Sequence, residues 1–269
     1  MNSRISILLL SVLLGCSLNV FADTDIHGNV TIPHQSFAKK FTYLLPKNVV
    51  FSLNAGNNIA IQAGAQQSLD DGYYNYSPSS AAKQSAFLGG FFGIEYELTQ
   101  DLTLQVGVAL SNVAPLTVTG TNSVSSGSPT IYAYNYTVKS HQFFAEARLL
   151  KTFAQNYHVY GLLDIGRSFT STSHYQTNLT STPGTADLTP TFADQNNSSF
   201  AYGLGVGVER DLIKHLRFGV GYRLLSLGRA DLGGGTEYDN TGTAIATTDP
   251  LTQSDLYVQQ LVAQLTYRF

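Results

Sequence analysis

Residues 257–269 read Tyr-Val-Gln-Gln-Leu-Val-Ala-Gln-Leu-Thr-Tyr-Arg-Phe. Tyr257, Leu261, Ala263, Leu265, Tyr267 and Phe269 occupy the odd positions, interrupted only by Gln259. Val258, Gln260, Val262, Gln264, Thr266 and Arg268 occupy the even ones. A period of two is the signature of a β-strand whose two faces meet different surroundings. From Tyr257 to Tyr267 such a strand runs about 33 Å. Tilted by about 45°, it rises roughly 24 Å, with an aromatic ring at each end of an apolar face.

The same alternation recurs upstream. Leu88, Gly90, Phe92, Ile94, Tyr96 and Leu98 share one face of 86–98, and Leu102, Leu104, Val106, Val108 and Leu110 share one face of 102–111. Segments 142–152 with 157–169, and 199–211 with 216–228, form two further pairs. Segment 49–66 opens the series, with Gly56-Asn57-Asn58 expected to form a bulge. With 254–269 at the end, eight strands are expected. The connections alternate in length. Three are short: 99–101, 153–156 and 212–215. Four are long and rich in Ser, Thr, Asn, Gly and Tyr: 67–84, 115–135, 170–198 and 229–253. Short turns at one rim and long loops at the other describe an all-β, eight-stranded antiparallel up-and-down barrel. Closure is expected because an open edge in lipid leaves backbone groups unpaired, at several kcal/mol each. Centring the 212–215 turn near residue 213 sets Val208 against Phe218 and Glu209 against Arg217. Centring 153–156 near 154 sets Phe143 against Ile165.

Composition excludes the main alternatives. Charged residues are 12% of the chain against 43% hydrophobic, and no stretch beyond the first residues is long and apolar enough for a membrane helix. Sixteen Tyr and fifteen Phe at a net charge of −3 argue against disorder. A sequence pI near 6.0 without a basic cluster argues against nucleic acid as a partner. Residues 1–22 read as a secretory signal peptide: Arg4, an apolar run from Ile5 to Leu14, and Ala22 at the cut. Lipidation at Cys16 is the competing reading. Cys16 is the only cysteine, so cleavage after Ala22 leaves no thiol chemistry. Residues 23–48 are expected to form an N-terminal periplasmic segment and 49–269 the barrel.

On this register the inward positions carry Glu95, Glu146, Asp164 and Glu209 against Arg148, Arg217, Arg223 and Arg268. Enclosed charges need partners, so a lumen ion-pair network is expected, with Phe91, Phe144, Tyr160 and Leu162 filling space beside it. Gly203, Gly205 and Gly207 lie at period two and lack the strand–turn–helix setting of a nucleotide loop; they read as small inward residues. Ser140 and His141 are adjacent in a strand and so point to opposite faces, which speaks against a catalytic pair. The six histidines show no metal-ligand spacing. No catalytic, metal or cofactor site is assigned. Tyr73, Tyr74, Tyr76, Tyr132, Tyr134, Tyr175 and Tyr238 in the long connections are candidates for a contact surface. The odd face of Phe143 and Ala145 does not continue into Tyr132, Tyr134 and Tyr136, so a bulge near 139–141 or an inward turn is expected.

The pattern over 49–269 resembles the small eight-stranded outer-membrane β-barrels of the opacity-protein/OmpX type, an OmpA-like transmembrane barrel without the periplasmic domain. That resemblance implies residence in the outer membrane of a Gram-negative bacterium. It implies assembly by the barrel-assembly machinery through a terminal signal on Tyr267 and Phe269. It also implies contact with outer-membrane lipids and lipopolysaccharide, and a surface-antigen or adhesion role toward a host or cell-surface ligand. A porin-like gated small-solute or ion channel is the alternative function, and a lipid-modifying outer-membrane enzyme the third. With both termini periplasmic, cysteines placed at Ser125 and Thr243 should react with an impermeant thiol reagent on whole cells, and one at Gln100 should not. The reverse labelling would overturn the orientation.

Overall fold

The computed structural model describes residues 46–60, 63–124, 130–179, 190–238, 243–247, 249–253 and 256–269. The signal segment with Cys16, most of 23–48, and Ser125 lie outside the described residues.

Thirteen strands are present among the described residues. They are β1 (Asn48–Ala60), β2 (Gln67–Leu69), β3 (Tyr74–Pro78), β4 (Lys83–Glu97), β5 (Leu102–Val124), β6 (Thr130–Ala154), β7 (Tyr157–Leu179), β8 (Thr191–Ala193), β9 (Gln195–Ile213), β10 (Leu216–Ser226), β11 (Gly233–Tyr238), β12 (Ala244–Thr247) and β13 (Tyr257–Arg268). All pairings are antiparallel. The main sheet runs β2-β3-β5-β4-β1-β13-β10-β9-β7-β6, and a further β5–β6 pairing returns it on itself, so the backbone groups from β5 around to β6 have partners on both sides. A second sheet orders β12-β11-β8.

This corrects the expected architecture. The chain is not a simple eight-stranded up-and-down barrel, and the resemblance to the opacity-protein/OmpX type falls with it. The stretches expected to be loops carry strands of their own. β5 and β6 run far past the expected strand ends and stay paired up to Val124↔Thr130. β2 and β3 occupy the 67–84 connection, with β3 pairing onto the far half of β5. β8, β11 and β12 take up parts of 170–198 and 229–253. The physical reason is that these segments alternate with opposite sense. Tyr132, Tyr134, Tyr136 and Val138 are buried, while Ile131, Asn135 and Lys139 face outward. Polar residues outside and apolar residues inside read as a loop to a search for apolar outer faces. β6 is continuous, and no bulge at 139–141 is needed, because the tyrosines share the inward parity of Ser140, Gln142 and Phe144.

On β5 the parity switches once. The pairing with β6 slips between Val113 and Leu116, at Ala114-Pro115. Proline has no N–H to give a ladder, so a bulge is its natural place in a paired strand. The bulge expected at Gly56 is absent: β1 keeps an unbroken register with β4 and β13.

Both short-hairpin registers differ from expectation by two residues. Asp211, not Glu209, lies opposite Arg217, and Arg167, not Ile165, lies opposite Phe143. In each hairpin the turn is only two residues, Gln155-Asn156 or Lys214-His215, and the pairing skips one residue just before it, Phe153 or Leu212. A shift of two preserves which face each side chain takes. Gly207 and Gly221 lie opposite one another and face inward, where an added Cβ at either would overlap Tyr160. At Gly221 the clash is with the phenol oxygen, and at Gly207 with the ring. Gly221→Ala should therefore destabilise by about 1–3 kcal/mol. Adding Tyr160→Phe should recover most of that loss, but should recover little for Gly207→Ala. The midpoint of the heat-induced gel shift measures both.

Candidate functional site

The outer wall of the ring is apolar. Phe51, Leu53, Leu88, Phe92, Val106, Leu110, Phe143, Leu163, Val206, Val220 and Leu261 all face outward and are exposed. Aromatic residues sit at both margins. Tyr202 and Tyr257 share a hydroxyl contact of 3.4 Å at one margin. Phe153 lies 5.9 Å from Tyr157, and Tyr267 4.8 Å from Phe269, at the other. So broad an exposed apolar surface is stable only in lipid, and an apolar band between aromatic girdles matches a bilayer.

The inner wall is the reverse, and its charges meet across the ring. Arg223, on β10, reaches Glu146 on β6 at 2.6 Å and lies 3.8 Å from Asp164 on β7. Arg148 pairs with Glu146, lies 4.0 Å from Glu209, and places its guanidinium 4.5 Å from the centre of the Phe91 ring. Gln264 donates to Glu209. Nearer the short-turn rim, Arg217 reaches Glu95 at 3.0 Å and Asp211 at 2.9 Å. Gln105 and Asn48 also donate to Glu95, at 2.8 and 3.0 Å. Arg268 contacts Asp211 at 3.2 Å. His158 lies 3.1 Å from Asp211 and shares a 2.9 Å hydrogen bond with Thr152. All eight sequence-derived charges thus enter one connected set. Asp211 and His158 belong to it and were not picked out: with the register misplaced by two, Asp211 fell opposite His215 and not opposite Arg217. Phe91, Phe144, Tyr160 and Leu162 are buried around these groups.

Beyond Lys139, past the lipid-facing band, the interior changes character. Tyr74, Tyr76, Tyr132, Tyr134 and Tyr136 are buried there, with Tyr73 and Tyr175 packed against them. Six of the seven tyrosines read as an external contact surface are instead turned into or packed against an aromatic core, while Tyr238 is half-buried and meets it through its backbone. Tyr76 lies 5.6 Å from Tyr134 and 5.9 Å from Phe192, and Phe192 lies 5.0 Å from Tyr175. Leu227, Ala230, Leu232, Leu251 and Leu256 complete the cluster. Polar contacts tie the connections over it. The Tyr74 hydroxyl donates to Tyr238 O at 2.6 Å and accepts from Tyr238 N at 2.9 Å. Tyr136 donates to Gln253 at 2.8 Å. The Gln67 side-chain oxygen accepts from Thr252 N at 2.7 Å. Burial pushes the Tyr134 and Tyr136 phenols above their ordinary value, and Tyr136 is pushed further by Tyr134, Asp231 and Tyr175. Both therefore stay neutral and act as donors.

Ser140 and His141 diverge, as alternation requires. Ser140 Oγ is buried and shares a 2.8 Å hydrogen bond with Ser168, while His141 faces outward. No cluster of three or more metal-ligating side chains occurs among the described residues.

An apolar, girdled outer wall around a charged interior defines the class: the chain is a β-sheet protein of the bacterial outer membrane. No family model matches it, and no curated protein matches it. Among solved structures it is similar to the outer membrane protein OprG from Pseudomonas aeruginosa, at 13% identity over 83% of this chain and 97% of that one, with a TM-score of 0.48. It is similar to the outer membrane protease OmpT from Escherichia coli at 11% identity over 84% and 98%, with a TM-score of 0.42. It is also similar to Ail, the attachment invasion locus protein of Yersinia pestis, at 13% identity over 84% and 100%, with a TM-score of 0.34.

Removing Arg223 takes from Asp164 its ion-pair partner among the described residues and leaves Glu146 with Arg148 alone. Arg223→Met should cost about 3–5 kcal/mol, because Glu146 and Asp164 lose their shared partner. Lys47→Ala breaks an exposed pair with Glu97 and should cost less than about 1 kcal/mol. Urea unfolding in detergent micelles compares the two.

Proposed function

We propose that the protein is a surface-exposed outer-membrane barrel with a filled lumen. Its external ends are folded into a cap that serves surface interaction or membrane integrity. Passage of solute is not its task. One observation carries the reading: two different seals lie in series. Within the membrane band, Arg148, Arg217 and Arg223 span the interior to carboxylates on other strands. Past it, the aromatic core around Tyr134 and Tyr136 occupies the mouth. The role is a binding or structural one, with no catalytic step and no cofactor, and its partners are outer-membrane lipids and a ligand at the cell surface.

The competing role is a gated ion path, and one observation favours it. Arg223 bonds Glu146 at 2.6 Å and lies 3.8 Å from the fully buried Asp164, so a small shift of one guanidinium would exchange its carboxylate. Planar-bilayer recording separates the two. The filled barrel should give no steady conductance, and Arg217→Ala should lower thermal stability more than it raises current. A large, steady conductance from the unmodified protein would overturn the filled-lumen reading in favour of the channel.

A further inference from the structure

Three basic side chains stand together on the outer wall at the external edge of the apolar band. Lys139 and His141 follow one another outward on β6, and Arg167 faces outward on β7. Arg167 lies opposite Phe143, and His141 opposite Phe169. Neighbouring strands lie about 4.8 Å apart and successive outward residues about 7 Å apart, so the three side chains fit beneath one headgroup. No Asp or Glu occupies an outward position at 137–149 of β6 or 161–171 of β7. Cations facing acyl chains without a counter-charge are unfavourable, and near a membrane surface they draw anionic lipid.

A second feature meets the first at His141. A shallow apolar groove of about 470 Å³ descends the wall from Asn112 and His141 to Phe92 and Phe51. Its floor includes Gly90, which faces outward between Leu88 and Phe92. A Cβ at Gly90 would touch only Ser52 O, at 3.4 Å, so the dent is space left by a missing side chain, and a larger residue would fill it.

The geometry points to a lipid site: Lys139, His141 and Arg167 hold the phosphates of a phosphorylated, multiply acylated glycolipid of the outer leaflet, and one of its acyl chains lies in the Gly90 groove. Free phosphate would satisfy the charges but leaves the groove and the exposed Phe143 and Phe169 without an occupant. Arginine and lysine both bind phosphate, arginine through paired N–H groups. The site extends the proposed role in membrane integrity. It rests on the outer wall alone and is independent of whether the lumen is filled.

The test uses the full protein, folded in dodecylmaltoside and titrated with hexa-acylated lipid A carrying both phosphates. Binding is read from the midpoint of heat unfolding. Lys139→Gln with Arg167→Gln should weaken binding about thirtyfold, near fivefold for each charge lost at a membrane surface. Gly90→Leu should weaken it as well. Lys151→Gln with Arg210→Gln, at the opposite rim, should leave it within about twofold. Each variant is first checked for the heat-induced gel shift; should the double variant not fold, Lys139→Gln alone serves. Equal binding by the unmodified protein and the Lys139/Arg167 variant would overturn the site. So would an equal rise in midpoint with inorganic phosphate. No effect of Gly90→Leu would remove the acyl-chain groove. Loss of steady lumen closure in bilayer recording, with lipid binding intact, would overturn the filled-lumen reading and spare this one.

Discussion

Hydrocarbon offers no partner to a peptide N–H or C=O, and every other feature of this chain follows from that constraint. Each strand that meets lipid must be paired on both edges. The pairing of β1 with both β4 and β13, and of β5 with both β4 and β6, supplies this. A ring with lipid outside has no outside core. Its tertiary contacts have to be made inward, among residues that alternation forces to be every second one. Bulky arginines and Tyr160 therefore share a narrow space with glycines. Gly207 and Gly221 make room for one phenol, and Gly203 sits within reach of the Asp164 carboxylate.

The same constraint explains the inversion near Lys139. Below it the outer wall faces acyl chains and the inner wall is charged. Above it the outer wall faces water, and the inner wall becomes the only place where apolar side chains can be buried. β6 crosses that boundary without a break, and its even residues pass from Arg148 and Glu146 to Tyr136 and Tyr134 while pointing the same way throughout. The hydrophobic effect is unchanged; the medium it acts against has moved from outside the wall to above it.

What was legible in the sequence divides along that line. The membrane band could be read because Tyr257 to Phe269 and Leu102 to Leu110 advertise an apolar outer face. The inward charges could be read because parity survives any even error in register. The external strands were missed because Thr117, Thr119, Thr121 and Asn135 on their outer face are the residue types of loops. Their inward partners, Val118, Tyr134 and Tyr136, were too sparse to count as a core alone. β2, β8 and β12 are three or four residues long, and only long-range pairing defines them. The hairpin registers failed for a local reason: a two-residue turn with one skipped residue before it and a four-residue turn both preserve side-chain parity, so alternation cannot tell them apart.

The two halves of the interior then differ in how they hold. In the membrane band, Arg217 has Glu95, Asp211 and Glu209 within 4.0 Å, and Arg223 has Glu146 and Asp164. Each guanidinium has more than one carboxylate to choose from, so a small displacement exchanges partners without exposing a charge. The external core is held by apolar packing joined to directional hydrogen bonds. Tyr136 must donate to Gln253, and Gln253 N in turn donates to Asp231; the Asp231 carbonyl accepts from Thr172 and Asn197. Opening there means losing apolar contact and several directional bonds together. The exchangeable layer is thus buried in the membrane, and the cooperative layer faces the outside. The end of the ring that carries the long connections is therefore the part of the protein whose shape is most firmly set.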